Sequence, residues 1–211
     1  MLPMTRETGT TTAGRGETIY KNLVGDDYGL NGNFTPVPDS DPLDNCSADS
    51  HGTHTTGIIA ADTRQITDPK FRPLEDFIGV APEATMGMYR VFGCSGNTGD
   101  DLLTKAIYQA FEDQADIISF SIGGAAAYDS SPVATAIKQV TRAGTYFIAA
   151  GGNNGGSGFG VGGEPADVPE AISVASIDNI NVAGPTFNAE SGEVFAITQA
   201  AAGGPFEPNQ A

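Results

Sequence analysis

A chain of 211 residues has the length of one domain, and its 44 Leu, Ile, Val and Phe residues allow a core, though a lean one. Gly and Pro stay below the share typical of low-complexity chains and show no Gly-X-Y period, which excludes collagen and simple linkers. Ten basic residues against 26 acidic ones give a net charge of −16, with no Lys or Arg after Arg142, so nucleic-acid backbones and anionic membranes are poor partners.

No apolar run approaches the roughly 18 residues that cross a bilayer, and the N-terminus lacks the charged-then-apolar pattern of a signal peptide. Residues 1–50 are polar and rich in Gly and Thr, with eight acids, three bases and no helical or strand period. They read as loop, and residues 1–21 as a poorly ordered N-terminal segment. The run HGTHTTGIIAA at 51–61 is small and apolar and suits a closely packed helix, after which 62–79 returns to a polar loop containing Pro. Residues 85–92 and 116–122 are apolar runs of strand length. Between them Leu103, Ile107, Ala110 and Phe111 recur at helical spacing, with Asp100 and Asp101 at the start, where the helix dipole favours anions.

A second helix is punctuated at both ends: Ser131 as N-cap, Pro132 in the first turn, Val133, Ala136, Ile137 and Val140 on one face, Arg142 in the last turn and Gly144 as the stop. Strands follow at 146–150 and 172–177, and the Ala-, Gly- and Pro-rich end, 181–211, holds one short strand at 194–198. The alternation predicts an α/β fold with right-handed βαβ crossovers and a parallel sheet with helices on both faces. Ligands of such sheets bind at the carboxyl ends of strands, which points to the loops after Phe92, Ile122 and Ala150.

Both histidines sit in His51-Gly52-Thr53-His54. A metal site would need further ligands at suitable spacing, and the HExxH arrangement is absent because the spacing is three and no Glu lies between. An imidazole at a helix N-terminus is instead suited to accept a proton, since the positive end of the dipole disfavours its charged form.

SHGTHTTGIIA at 50–60 resembles the histidine signature of subtilisin-like serine proteases. GVAPEATMGMYRVFG at 79–93, DIISFSIGG at 116–124 and FIAAGGNNGG at 147–156 resemble consecutive blocks of that family, and NLVGDDY (22–28) and TPVPDSDPLDNC (35–46) have counterparts in its extracellular fungal and bacterial members. The resemblance covers residues 22–180 and implies a partial subtilisin-like peptidase domain. Residues 181–211 would then be a C-terminal segment leading toward an inserted domain.

The resemblance makes His51 the general base, leaves His54 structural, and aligns Asn153 with the oxyanion-hole asparagine. By itself Asn153-Asn154-Gly155-Gly156 is also good turn chemistry. Ser121, Ile122 and Gly123 resemble the substrate-binding strand end, with Gly96 in the opposing segment, where glycine lets a peptide main chain approach. In such a fold Cys46 and Cys94 reach the same rim, as a disulfide or as two free thiols.

The triad also needs an aspartate and a serine. The sole look-alike of the Asp-Thr-Gly strand is Glu7-Thr8-Gly9, which lacks the apolar run before it, and Ser157, Ser173, Ser176 and Ser191 lack the Gly-Thr-Ser turn. Neither residue is assigned, which suggests a sequence truncated at both ends. The resemblance therefore implies a secreted, monomeric serine endopeptidase acting on polypeptides through an acyl-enzyme. It would need no cofactor beyond structural calcium, and this chain would be inactive alone. The alternative is a catalytically dead pseudoprotease that keeps the cleft and binds peptides.

Overall fold

The structure is a computed structural model that describes residues 2–6, 19–43, 46, 51–73, 76–94, 97–125, 130–157, 163–177 and 186–196. Two compact units divide the chain, residues 1–175 and 176–211. The first holds strands β1 (Leu2–Arg6) and β2 (Ile19–Asn22), helix α1 (His51–Ala60), β3 (Thr85–Arg90), α2 (Asp100–Glu112), β4 (Ile117–Phe120), β5 (Gly124–Ala125), α3 (Pro132–Arg142), β6 (Tyr146–Ala150), β7 (Gly163–Glu164) and β8 (Ile172–Val174). The second contains an antiparallel pair, β9 (Thr186–Asn188) and β10 (Val194–Ala196).

Six strands form one sheet in the order β2-β3-β1-β4-β6-β8. β2 runs parallel to β3, and β4, β6 and β8 are mutually parallel, as the βαβ alternation predicts. Between the two sets lies β1, antiparallel to both neighbours, with Leu2 opposite Tyr89 and Met4 opposite Ile118. Residues 2–6 and 19–22 were expected to be loop, and both are strands. LPMTR is short, has no alternation, and carries Pro3, which removes a ladder donor and argues locally against a central strand. Its conformation is set by the unpaired edges of β3 and β4 on either side.

The main core lies between the sheet and the helix pair α2/α3. Tyr89, Ile118, Phe120 and Phe147 project from the strands, and the Phe120 and Phe147 rings meet at a tilt of 39° with their centres 5.3 Å apart. Against them pack Ile107 and Ala110 from α2, and Ala136, Ile137 and Val140 from α3. α3 has the predicted ends: the Ser131 side chain accepts from the Ala134 N–H at 3.0 Å, and Gly144 turns the chain away at φ +112°. α2 departs from prediction at one position. Phe111 stands 37% exposed, and Leu102 and Ala106 are buried in the same helix.

α1 covers the opposite face. Met88 alternates with Tyr89 along β3, and the Thr56 hydroxyl on α1 lies 3.6 Å from the Met88 sulfur. Helices therefore lie on both faces of the sheet. The uniform right-handed crossovers do not hold, however: β2 to β3 and β4 to β6 step across the sheet in the same sense, yet α1 and α3 lie on different faces. The two connections have opposite hands. The rule rests on a twisted strand feeding directly into its helix, and 28 residues separate the end of β2 from the start of α1, enough to carry it to either face.

Candidate active site

All five parallel strands end on one rim of the sheet. His51 opens α1 there, because its flanking chain is tied to that rim. Cys46, five positions before His51, is bonded to Cys94, four positions past the end of β3, with their Cα atoms 5.4 Å apart. At its other end α1 turns back toward the start of β3, where the Gly79 N–H donates to the Ala61 carbonyl at 2.7 Å. The first turn is stitched by Thr55 and Thr56, whose hydroxyls donate to the Gly52 carbonyl at 3.1 and 2.7 Å. The His51 side chain is exposed and makes no hydrogen bond to a described residue. His54, also exposed, borders a separate cavity on the far flank of α1 with Gly57 and Phe77.

Beneath the disulfide lies a group the sequence reading passed over. Arg90 is 3% exposed, and its guanidinium donates to Asp26 at 2.5 Å and to the carbonyls of Phe92 and Leu43. A lone arginine at the end of an apolar run was its only signal. The Cys94 N–H donates to the Asp26 carbonyl at 2.9 Å, so the chain after β2 is fixed to the rim at Asp26, Leu43 and Cys46 by an ion pair, hydrogen bonds and a covalent bond.

Past β4, Ser121 and Ile122 are half-buried and Gly123 is exposed. A Cβ on Gly123 would lie 2.6 Å from the Glu164 carbonyl oxygen, so only glycine fits where this strand end passes β7. Gly96, expected on the opposing segment, lies outside the described residues. Past β6 the Gly151 N–H donates to the Val174 carbonyl at 2.7 Å. Asn153 follows two residues later, exposed and without a hydrogen bond to a described residue. Glu7-Thr8-Gly9 lies outside the described residues.

Beside the strand end opens a cavity of about 280 Å³, walled by Leu103, Phe120, Ile122 and Val133 and bordered by Thr98 and Glu164. Among the described residues the one close group of potential metal ligands is Asp26, Cys46 and Cys94. Both sulfurs are used in the disulfide, and calcium takes six to eight oxygens, so these residues do not fit it.

Comparison with known proteins identifies the family. The sequence model described as the subtilase family matches residues 18–207. The chain is 31% identical over 140 residues to "Minor extracellular protease Vpr" of Bacillus subtilis, covering 66% of this chain and 16% of that protein. It is 30% identical over 157 residues to subtilisin E of the same species, covering 74% of this chain and 38% of that protein. The solved structure of sphericase superposes with a TM-score of 0.54 at 28% identity, over 84% of this chain and 49% of that one. The chain thus spans less than half the length of these relatives.

Proposed function

The chain belongs to the subtilase family, and from that membership we propose that it supplies the histidine-bearing side of the cleft of a secreted serine endopeptidase acting on polypeptides. One observation carries the reading: His51, the strand end at 121–123 and Asn153 stand on the same rim of the sheet. In the proposed reaction His51 takes the proton of the attacking serine and later gives it to the leaving amine. The carbonyl oxygen, negative in the tetrahedral intermediate, receives a hydrogen bond from the Asn153 amide. An extended substrate adds along Ser121, Ile122 and Gly123, with Gly96 opposite, and its main chain supplies the binding hydrogen bonds.

Acyl transfer of this kind requires no organic cofactor, and any structural calcium would need oxygen donors other than Asp26. An extracellular setting is supported by the likeness to Vpr and by the Cys46–Cys94 bond, since disulfides persist in oxidising compartments. We take the working unit to be a monomer.

The serine and the carboxylate that orients the histidine are not assigned within these 211 residues. Triad members act as a unit, so the chain by itself is expected to bind peptides without cutting them. Casein hydrolysis by the purified chain that is blocked by phenylmethylsulfonyl fluoride would overturn that expectation. Fluorescence anisotropy of a labelled extended peptide should show binding that Gly123→Val abolishes, and binding untouched by that change would remove the cleft from 121–123. The reading frames flanking these codons separate the enzyme from the pseudoprotease: an Asp-Thr-Gly strand upstream and a Gly-Thr-Ser turn downstream are expected, and the lack of both favours a peptide-binding protein.

A further inference from the structure

We propose that the Cys46–Cys94 bond is a site of covalent modification by small-molecule thiols: the incoming thiolate joins Cys94, and Cys46 leaves as a thiolate held by Arg90. Only its consequence for peptide binding rests on the reading of the cleft above.

The two sulfurs have unequal surroundings. The Arg90 Nη2 donates to the Cys46 Sγ at 3.7 Å, and among the described residues no cation donates to the Cys94 Sγ. Arg90 is 3% exposed and is held by Asp26 and two backbone carbonyls, so its charge stays beside Cys46 instead of swinging out into water. A neighbouring guanidinium stabilises a thiolate, and thiol exchange expels the more stabilised thiolate faster. The Asp26 carboxylate opposes a thiolate, but it lies within 4.8 Å of both sulfurs and so does not remove the difference between them. Both cysteines are half-buried at the rim and not sealed in the core.

In the step itself the reagent's sulfur forms a bond to the Cys94 Sγ, the Cys46–Cys94 bond breaks, and its electron pair goes to the Cys46 Sγ. One disulfide and one thiolate are replaced by another disulfide and another thiolate, so no further oxidant or reductant is consumed. The covalent tie five positions before His51 is then open, while the ion pair of Arg90 with Asp26 remains. Thiolation thus loosens the segment that delivers the histidine without releasing the chain after β2 as a whole.

The test treats the full, oxidised chain with 2-mercaptoethanol, a neutral thiol that a protein charge of −16 does not repel. Freed thiols are capped with N-ethylmaleimide at successive times, and peptide mass spectrometry locates both groups. At the earliest times the mercaptoethanol adduct should sit on Cys94 and the maleimide on Cys46, favoured about tenfold over the reverse. In urea, where the unfolded chain has no Arg90 cluster, the ratio should fall toward one, and this arm needs no variant. Arg90→Gln, shown to be folded by circular dichroism, should lose the preference in the same way, and Arg90→Lys should keep part of it. An even split in the folded chain, a preference for Cys46, a ratio that survives urea or Arg90→Gln, or a folded chain in which neither sulfur reacts overturns the inference. None of these readouts needs a cleft. The chain carrying both groups should bind a labelled extended peptide several-fold more weakly than the untreated chain, and unchanged binding overturns the loosening. No binding by the untreated chain overturns the cleft and leaves the site of attack standing.

Discussion

Asp113, one residue past α2, takes a hydrogen bond from the Tyr89 hydroxyl and an ion pair from Lys21, both at 2.5 Å, and the Lys21 ammonium lies 5.5 Å from the Tyr89 ring centre. Three elements, β2, β3 and α2, meet at this carboxylate. Burial pushes the Tyr89 hydroxyl well above its ordinary value, and the bond to Asp113 and its charge push the same way. The folded protein thus holds this proton more tightly than the unfolded chain, whose tyrosine titrates near 10. The stability it contributes is complete below about pH 10 and is lost as pH rises beyond it. Thermal unfolding followed by circular dichroism should show a melting temperature that falls between pH 10 and 12, with a shallower fall in Tyr89→Phe. Parallel curves would mean that Tyr89 titrates alike in both states. On the rim, Asp26→Asn should cost about 2 kcal/mol in urea unfolding, below the 3–5 kcal/mol of a fully buried pair because the Asp26 side chain is 38% exposed and partly screened. A cost under about 0.5 kcal/mol would show that the two carbonyls alone satisfy Arg90.

Between elements, the covalent tie carries the largest single effect. The Cys46–Cys94 bond closes a loop with a sequence separation of 48, and loop-closure entropy for that length is worth about 4 kcal/mol, an upper figure because native strain and residual structure reduce it. The double variant Cys46→Ser, Cys94→Ser should therefore lower the urea midpoint and free the segment that delivers His51, so that peptide binding weakens together with stability. Unchanged stability under reduction would show that Arg90 and the backbone bonds hold the loop unaided. The same scale explains what the sequence could and could not reveal. α3 was legible from end to end because its cap, its first-turn proline, its buried face and its stopping glycine are all local chemistry. The strands β4 and β6 were legible as apolar runs, and the rim followed from them by the general rule for parallel sheets. β1 was not, since five residues without alternation are recruited by neighbours 79 or more positions away. The hand of the α1 connection, the Arg90 cluster and the place of Glu164 escaped for the same reason, each being fixed by contacts distant in sequence.

Across the sheet as a whole, the two faces have unequal cover. On the α2/α3 side Ile118, Phe120, Phe147 and Ala149 are all but sealed. On the other side α1 shelters Met88, but the face continues past it. There Ile117 pairs with Tyr146, Ile148 with Ile172, and Ala150 with Val174, so these residues share one surface. Tyr146 is 64% exposed, Val174 51% and Ile172 48%. Contiguous apolar surface of this sort takes up hydrophobic dyes and promotes association, and a charge of −16 opposes the second more than the first. The native chain should therefore bind anilinonaphthalene sulfonate with enhanced fluorescence under conditions where circular dichroism shows it folded. Introducing Tyr146→Lys and Val174→Lys together should reduce that fluorescence by about half. It should leave the unfolding free energy within roughly 0.5 kcal/mol, because exposed side chains contribute little burial to lose. Fluorescence no higher than that of a compact control protein would mean that this face is covered in solution. An equal signal from the double variant would place the dye elsewhere, most plainly in the cavity beside Ile122, and Val133→Trp would then be the change that removes it.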